Sequence, residues 1–120
     1  MKAKYLIFAI AAIALIGGFI AFKPKTTDTQ PKTVIAIVVV KNKKVVSGPT
    51  TINANQGDTV DIKITNDQAE ELHLHGYDKK LELEANKQAE LSVKANLTGS
   101  FEYELEHSST TLGHLQVEPR

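Results

Sequence analysis

The stretch Thr59-Val60-Asp61-Ile62-Lys63-Ile64-Thr65, preceded by Gln56-Gly57-Asp58 and followed by Asn66-Asp67, decides how this chain reads. Val60, Ile62 and Ile64 recur at every second position, with Asp61, Lys63 and Thr65 between them. A period of two puts the aliphatics on one face of an extended strand and the polar residues on the other. The Gly-Asp and Asn-Asp pairs are turn signals that bound the strand. The same alternation recurs at Leu81 and Leu83, at Leu91 and Val93, and at Phe101, Tyr103 and Leu105, the last set interleaved with Glu102, Glu104 and Glu106. Val34 to Val40 is nearly continuously apolar, Val45-Val46 and Ile52 mark shorter pieces, and Leu115-Gln116-Val117 is the last. Turn residues at Asn42, Ser47-Gly48-Pro49, Gly76, Asn86 and Thr98-Gly99-Ser100 separate them. Seven or eight short, half-buried strands and no helical pattern after residue 33 predict an all-β, antiparallel β-sandwich.

The first 22 residues are of another kind. After Lys2 and Lys4, the stretch Tyr5 to Phe22 carries no charge. Its eighteen residues would make a helix of roughly 27 Å, close to the thickness of a bilayer's hydrocarbon core. Gly17-Gly18-Phe19-Ile20-Ala21-Phe22 is a poor secretory cleavage site, so residues 1–22 read as an uncleaved single-pass membrane anchor rather than a removed signal sequence. The four-residue tail ahead of it favours an inside amino terminus, which puts the rest of the chain on the periplasmic or extracellular side. Residues 23–33, with Pro24 and Pro31 and no apolar period, read as a polar linker. Residues 34–120 are then one small domain with room for a single modest core.

From Val34 onward nine Lys and Arg stand against thirteen Asp and Glu, so the domain is acidic although the whole chain is neutral. A nucleic-acid binder leans the other way. The chain has no cysteine, which excludes disulfides, thiolate catalysis and thiolate metal ligands. Any metal must be held by nitrogen and oxygen.

Two of the four histidines lie in Glu70-Glu71-Leu72-His73-Leu74-His75-Gly76-Tyr77-Asp78. On a strand, side chains at i and i+2 share a face with Cβ atoms roughly 7 Å apart, so both rings can converge on one ion. If Leu72 and Leu74 face the core, His73 and His75 face solvent, but a bulge near Gly76 could accommodate either direction. The bland reading is that the pair hydrogen-bonds backbone or Asp78 and shapes a loop, with Gly76 at positive φ and Tyr77 packing the edge. Glu70, Glu71, Asp78 and Glu106 are either partners that orient the imidazoles or a solvated rim, and Glu102, Glu104 and Glu106 read as a solvated strand face. His107 has the inward parity of Phe101, Tyr103 and Leu105, whereas His114 has the parity opposite to Leu115 and Val117 and should point outward. Ser108 and Ser109 beside His107 do not make a catalytic triad, since sequence neighbours cannot adopt that geometry.

Three segments carry a resemblance. Ile52 to Asp67 followed by the His-rich run, then Gly99-Ser100-Phe101-Glu102-Tyr103, then Gly113-His114-Leu115-Gln116-Val117, together resemble the cupredoxin family across most of residues 34–118. The resemblance implies a Greek-key β-sandwich with a metal site at one pole. Blue-copper members hold copper with two His, one Cys and usually a Met. Aligned on Gly99-Ser100-Phe101, the Cys position falls on Leu105, and counted back from Gly113 the Met position falls near Thr111. His73 matches the first His ligand by its place after the Asn-Asp turn, and His107 matches the second. With the thiolate missing, blue-copper electron transfer is excluded. The His-x-His-Gly-Tyr-Asp signature resembles that of small membrane-anchored or secreted bacterial cupredoxin-like domains.

The functional expectation is a membrane-tethered, extracytoplasmic, non-enzymatic domain that binds copper, or another divalent metal, in metal handling. Its ligands are expected to be His73, His75 and His107, with His114 a weaker candidate. The alternative is a metal-free sandwich that docks another envelope protein.

Overall fold

The computed structural model describes residues 29–120; the expected membrane anchor at 1–22 and the first part of the linker lie outside the described residues. No helix among the described residues is long and apolar enough to cross a membrane. Nine strands form in order: β1 Thr33–Lys41, β2 Lys44–Ser47, β3 Thr51–Asn55, β4 Thr59–Asn66, β5 Glu70–Leu74, β6 Lys79–Leu83, β7 Gln88–Lys94, β8 Gly99–Leu105 and β9 Thr110–Glu118. They make a four-stranded sheet, β2-β1-β4-β7, and a five-stranded sheet, β3-β9-β8-β5-β6.

The alternation in β4 becomes the centre of the first sheet. Val60, Ile62 and Ile64 are fully buried. Their neighbours are Val34, Ala36 and Val38 on one side and Val93, Leu91 and Ala89 on the other. The second sheet supplies Leu72, Leu74, Tyr103, Leu105, Leu115 and Val117 from its inner face, each at most 1% exposed. Both inner faces merge into one core that runs from Ala36 to Val117. The segment 29–120 therefore closes on its own core.

The expected antiparallel sandwich of seven or eight strands is corrected in two respects: nine strands form, and both sheets are mixed. β1 runs parallel to β4, and β3 runs parallel to β9. The chain leaves β1 through the β2 hairpin, visits the opposite sheet as β3, and returns as β4 pointing the same way. Such a crossover is what parallel neighbours require. A period of two reports which face a residue occupies and carries no information about the direction of the neighbouring strand.

Gly113 marks the tightest approach between strands. A Cβ there would lie 1.9 Å from the Thr50 carbonyl oxygen, which accepts the N–H of His114 at 2.9 Å.

The two ends of the sandwich are closed differently. At the start of β4, the fully buried Asp58 accepts the N–H groups of Lys32 (3.0 Å) and Asn55 (2.9 Å) and pairs with Arg120. Arg120 also donates to the carbonyls of Gln56 (2.9 Å) and Gln30 (3.0 Å). The last linker residues are thereby held to the domain. Burial alone would raise the Asp58 carboxyl, but the two N–H groups and the Arg120 charge outweigh it and hold the group below its ordinary value. At the other end of β4 lie Asn66, Glu70 and the β8–β9 turn.

Candidate metal centre

β5 pairs antiparallel with β8, placing Leu72 opposite Leu105, His73 opposite Glu104 and Leu74 opposite Tyr103. The leucines and Tyr103 face the core, so His73 and Glu104 share the outer face of the sheet. Backbone bonds from Glu106 N–H to the Glu71 carbonyl (2.8 Å) and from His75 N–H to the Glu102 carbonyl (2.9 Å) continue the ladder beyond both ends. That register places the histidines at i and i+2 on one strand beside glutamates at j and j+2 on the other.

Each imidazole bonds the diagonal carboxylate. His73 Nδ1 lies 2.8 Å from Glu106 Oε2, and His75 Nε2 lies 2.7 Å from Glu104 Oε1. Diagonal contact across an antiparallel pair is within reach of long side chains. The two rings lie 4.2 Å apart at their centroids, tilted by 41°. One ligand atom from each of His73, His75, Glu104 and Glu106 can be chosen so that all four lie within 4.8 Å of one another. Four donors about 2.1 Å from one ion would stand about 3.4 Å apart in a tetrahedron, so modest side-chain rotation closes the set. His73 is 13% exposed and His75 45% exposed, so the cluster is open to solvent on the His75 side.

A stapled turn fixes His75. Gly76 follows at φ 80°, as the sequence led one to expect, and Phe101 packs so closely against it that a Cβ would sit 2.3 Å from the ring. Tyr77 packs edge-on against Phe101 at 4.8 Å, donates to the Leu97 carbonyl (2.7 Å) and accepts the Leu97 N–H (3.1 Å). The turn ends at Asp78, whose Oδ1 is 3.6 Å from His73 Nε2. Lys80, opposite His73 on β6, places its Nζ 3.5 Å from Glu71 and 4.0 Å from Glu106.

The hydrogen bond with Glu104 raises the His75 imidazole above its ordinary value of 6.5, and the bond with His73 holds the Glu106 carboxyl below the usual range. In the metal-free protein the cluster is thus a pair of imidazole–carboxylate bonds. A metal would be held by one nitrogen of each imidazole and one oxygen of each carboxylate. Neutral imidazole nitrogen with carboxylate oxygen suits copper(II), and less selectively zinc or nickel.

The structure brings His73 and His75 together and leaves His107 and His114 outside this grouping. β8 ends at Leu105, so the inward parity that would have carried His107 to the pole stops one turn short. The His107 side chain is 63% exposed, 3.6 Å from Glu70. His114 stands on the exposed face of β9 between buried Gly113 and Leu115. At the pole, the nearly buried Glu70 accepts the N–H groups of His107 (3.1 Å) and Glu71 (3.2 Å). Burial would raise this carboxyl, but those bonds and one from the Ser108 side chain outweigh it and hold it low.

Glu104 entered the sequence reading only as part of a solvated face. The matching periods His73-x-His75 and Glu104-x-Glu106 were visible; the pairing register that sets one beside the other was not.

No family model and no curated protein sequence matches the chain. Solved structures do match it. A copper binding protein, determined in solution in its apo form, superposes with a TM-score of 0.61 at 12% identity, over 74% of this chain and 91% of that one. The fold is cupredoxin-like. A chain of a heme-copper terminal oxidase dimer gives 0.60 at 19% identity over 72% of this chain, and the copper nitrite reductase from Nitrosomonas europaea gives 0.52 at 18% over 76%. This cupredoxin-like domain spans 65% of the matched oxidase chain and 42% of the reductase. At such identities the likeness is one of fold.

Proposed function

We propose that this chain is a membrane-tethered, extracytoplasmic cupredoxin-like domain that binds copper, or another divalent metal, through His73 and His75 in metal handling. Glu104 and Glu106 complete the ligand set. The observation that carries the reading is the convergence of those four side chains within 4.8 Å on the outer face of the β5–β8 pair. Similarity in fold to a copper binding protein supports it.

With no cysteine in the chain, the thiolate that makes a blue-copper centre is missing, so the reading is one of binding and transfer without electron transport and without an enzymatic step. An open, oxygen-rich site favours exchange over permanent retention. The apolar run Tyr5–Phe22 supports the tether and the extracytoplasmic placement.

One observation favours a second reading, a metal-free sandwich that docks another envelope protein. Each imidazole already has a carboxylate partner, at 2.8 and 2.7 Å, and is satisfied without an ion. Calorimetric titration of copper(II) into residues 29–120 and into the His73→Ala, His75→Ala variant separates the two. Tight one-to-one binding that disappears in the variant is the expected result; equal, weak binding by both would give the second reading the field.

A further inference from the structure

The outer face of the four-stranded sheet is divided into unlike halves. The β4–β7 half is polar: Lys63 lies 3.9 Å from Glu90, and Ser92 donates to Asp61 at 2.6 Å. On the β1–β2 half Ile35, Ile37 and Val46 stand 57%, 55% and 56% exposed. They are three of the four large exposed hydrophobics among the described residues, the other being Leu97. The hairpin that joins these two strands is Lys41-Asn42-Lys43-Lys44, whose three lysines stand against one neighbouring carboxylate, Asp67, which accepts the Asn42 N–H at 2.9 Å.

Charge is segregated in the same sense along the chain. Residues 23–44 hold six lysines and one aspartate, whereas residues 45–120 hold six cations and thirteen carboxylates. Many of those carboxylates, Glu71, Glu102, Glu104 and Glu106 among them, lie along the β5–β8 pair of the other sheet. Among the described residues, the β1–β2 side therefore pairs an aliphatic patch with the lysines of its hairpin, while glutamates crowd the outer face of the β5–β8 pair.

We propose that the β1–β2 face docks onto an anionic lipid surface, with Ile35, Ile37 and Val46 at the interface and Lys41, Lys43 and Lys44 against the headgroups. The proposal rests on the membrane tether of the preceding reading. Linker residues 23–29 span at most about 25 Å when extended, and Gln30 and Lys32 are held to the domain just ahead of β1, so this face stays within reach of the bilayer. Tethering raises its effective concentration there. Lysines near an anionic surface are attracted within a Debye length, and the same field repels those glutamates. Docking in this orientation points His73 and His75, on the outer face of the opposite sheet, toward the aqueous phase and any soluble donor or acceptor of metal.

Co-sedimentation of residues 29–120 with vesicles tests the surface without help from the anchor. Capture by vesicles of phosphatidylglycerol and phosphatidylethanolamine, falling with added salt and weak on pure phosphatidylcholine, is expected. The exposed triple variant Lys41→Gln, Lys43→Gln, Lys44→Gln should lose about tenfold or more of the binding. Ile35→Ser with Ile37→Ser should also weaken it. Copper titrations of both variants should match the parent, which separates failure of this surface from failure of the metal site. No preference for anionic vesicles, or capture unchanged in both variants, would overturn the proposal. So would self-association that the Ile35→Ser, Ile37→Ser variant abolishes, since the occupant would then be a second copy.

Discussion

The β5–β8 strand pair carries histidine and glutamate at two places, and the two differ in how the carboxylates are used. At the pole, Glu70 is nearly buried and its charge is committed to the N–H groups of His107 and Glu71 and to Ser108. On the outer face, Glu104 and Glu106 each hold one imidazole and remain within reach of solvent. A buried carboxylate bound to backbone is a structural part, because removing it strands donors in the protein interior. Carboxylates on solvent-accessible imidazoles such as His75 can be shared with an ion at little structural cost. The pole where the family resemblance would place copper is thus organised by Glu70, while the candidate ligands His73, His75, Glu104 and Glu106 lie together on the sheet face.

Substitutions should separate the two regions. The largest effect is expected from His73→Ala with His75→Ala, which should lower copper(II) affinity by more than about 100-fold, given that loss of outer partners alone costs about 10–100-fold. His107→Ala should change it by less than about threefold, as expected of a distant, uncoupled site. A comparable loss in His107→Ala would erase the distinction. Next, Glu70→Ala should cost about 2 kcal/mol of stability in denaturant unfolding while leaving metal affinity intact, because it removes charge-assisted bonds to the turn. Glu104→Gln or Glu106→Gln should reverse that pattern, lowering metal affinity about tenfold with little change in unfolding.

A smaller and graded effect is expected with pH. Asp58 and Glu70 are held below their ordinary values of 3.8 and 4.5, so their contributions are present above those values and lost as pH falls through the lowered ones. His75 is raised above 6.5, so its charged pairing with Glu104 contributes below that value and is lost as pH rises through the raised one. Copper affinity should move in the opposite sense to that pairing, increasing with pH as the His75 imidazole releases its proton. Glu104→Gln should shift the midpoint of that increase downward.

The strands were legible because Val60, Ile62 and Ile64, and likewise Tyr103 and Leu105, alternate without interruption. The direction of His73 and His75 was open in the sequence, outward if Leu72 and Leu74 are core residues and inward if the first histidine follows the family pattern; the burial of both leucines decides it as outward. Pairing partners were not legible: nothing in Val34 to Val40 says that it runs parallel to β4, and nothing in Glu102-Tyr103-Glu104 says that it lies beside His73. Those facts depend on contacts some thirty residues apart, fixed by how the whole core closes. The Asp58–Arg120 clamp escaped notice for the same reason, since sixty-two residues separate its members.

Paramagnetic broadening tests the placement of the site most directly. Substoichiometric copper(II) added to nitrogen-15-labelled residues 29–120 should selectively erase the amide signals of residues 72–76 and 102–106. Selective loss at the pole instead, around Asn42, Asp67 and residues 107–109, would contradict the account.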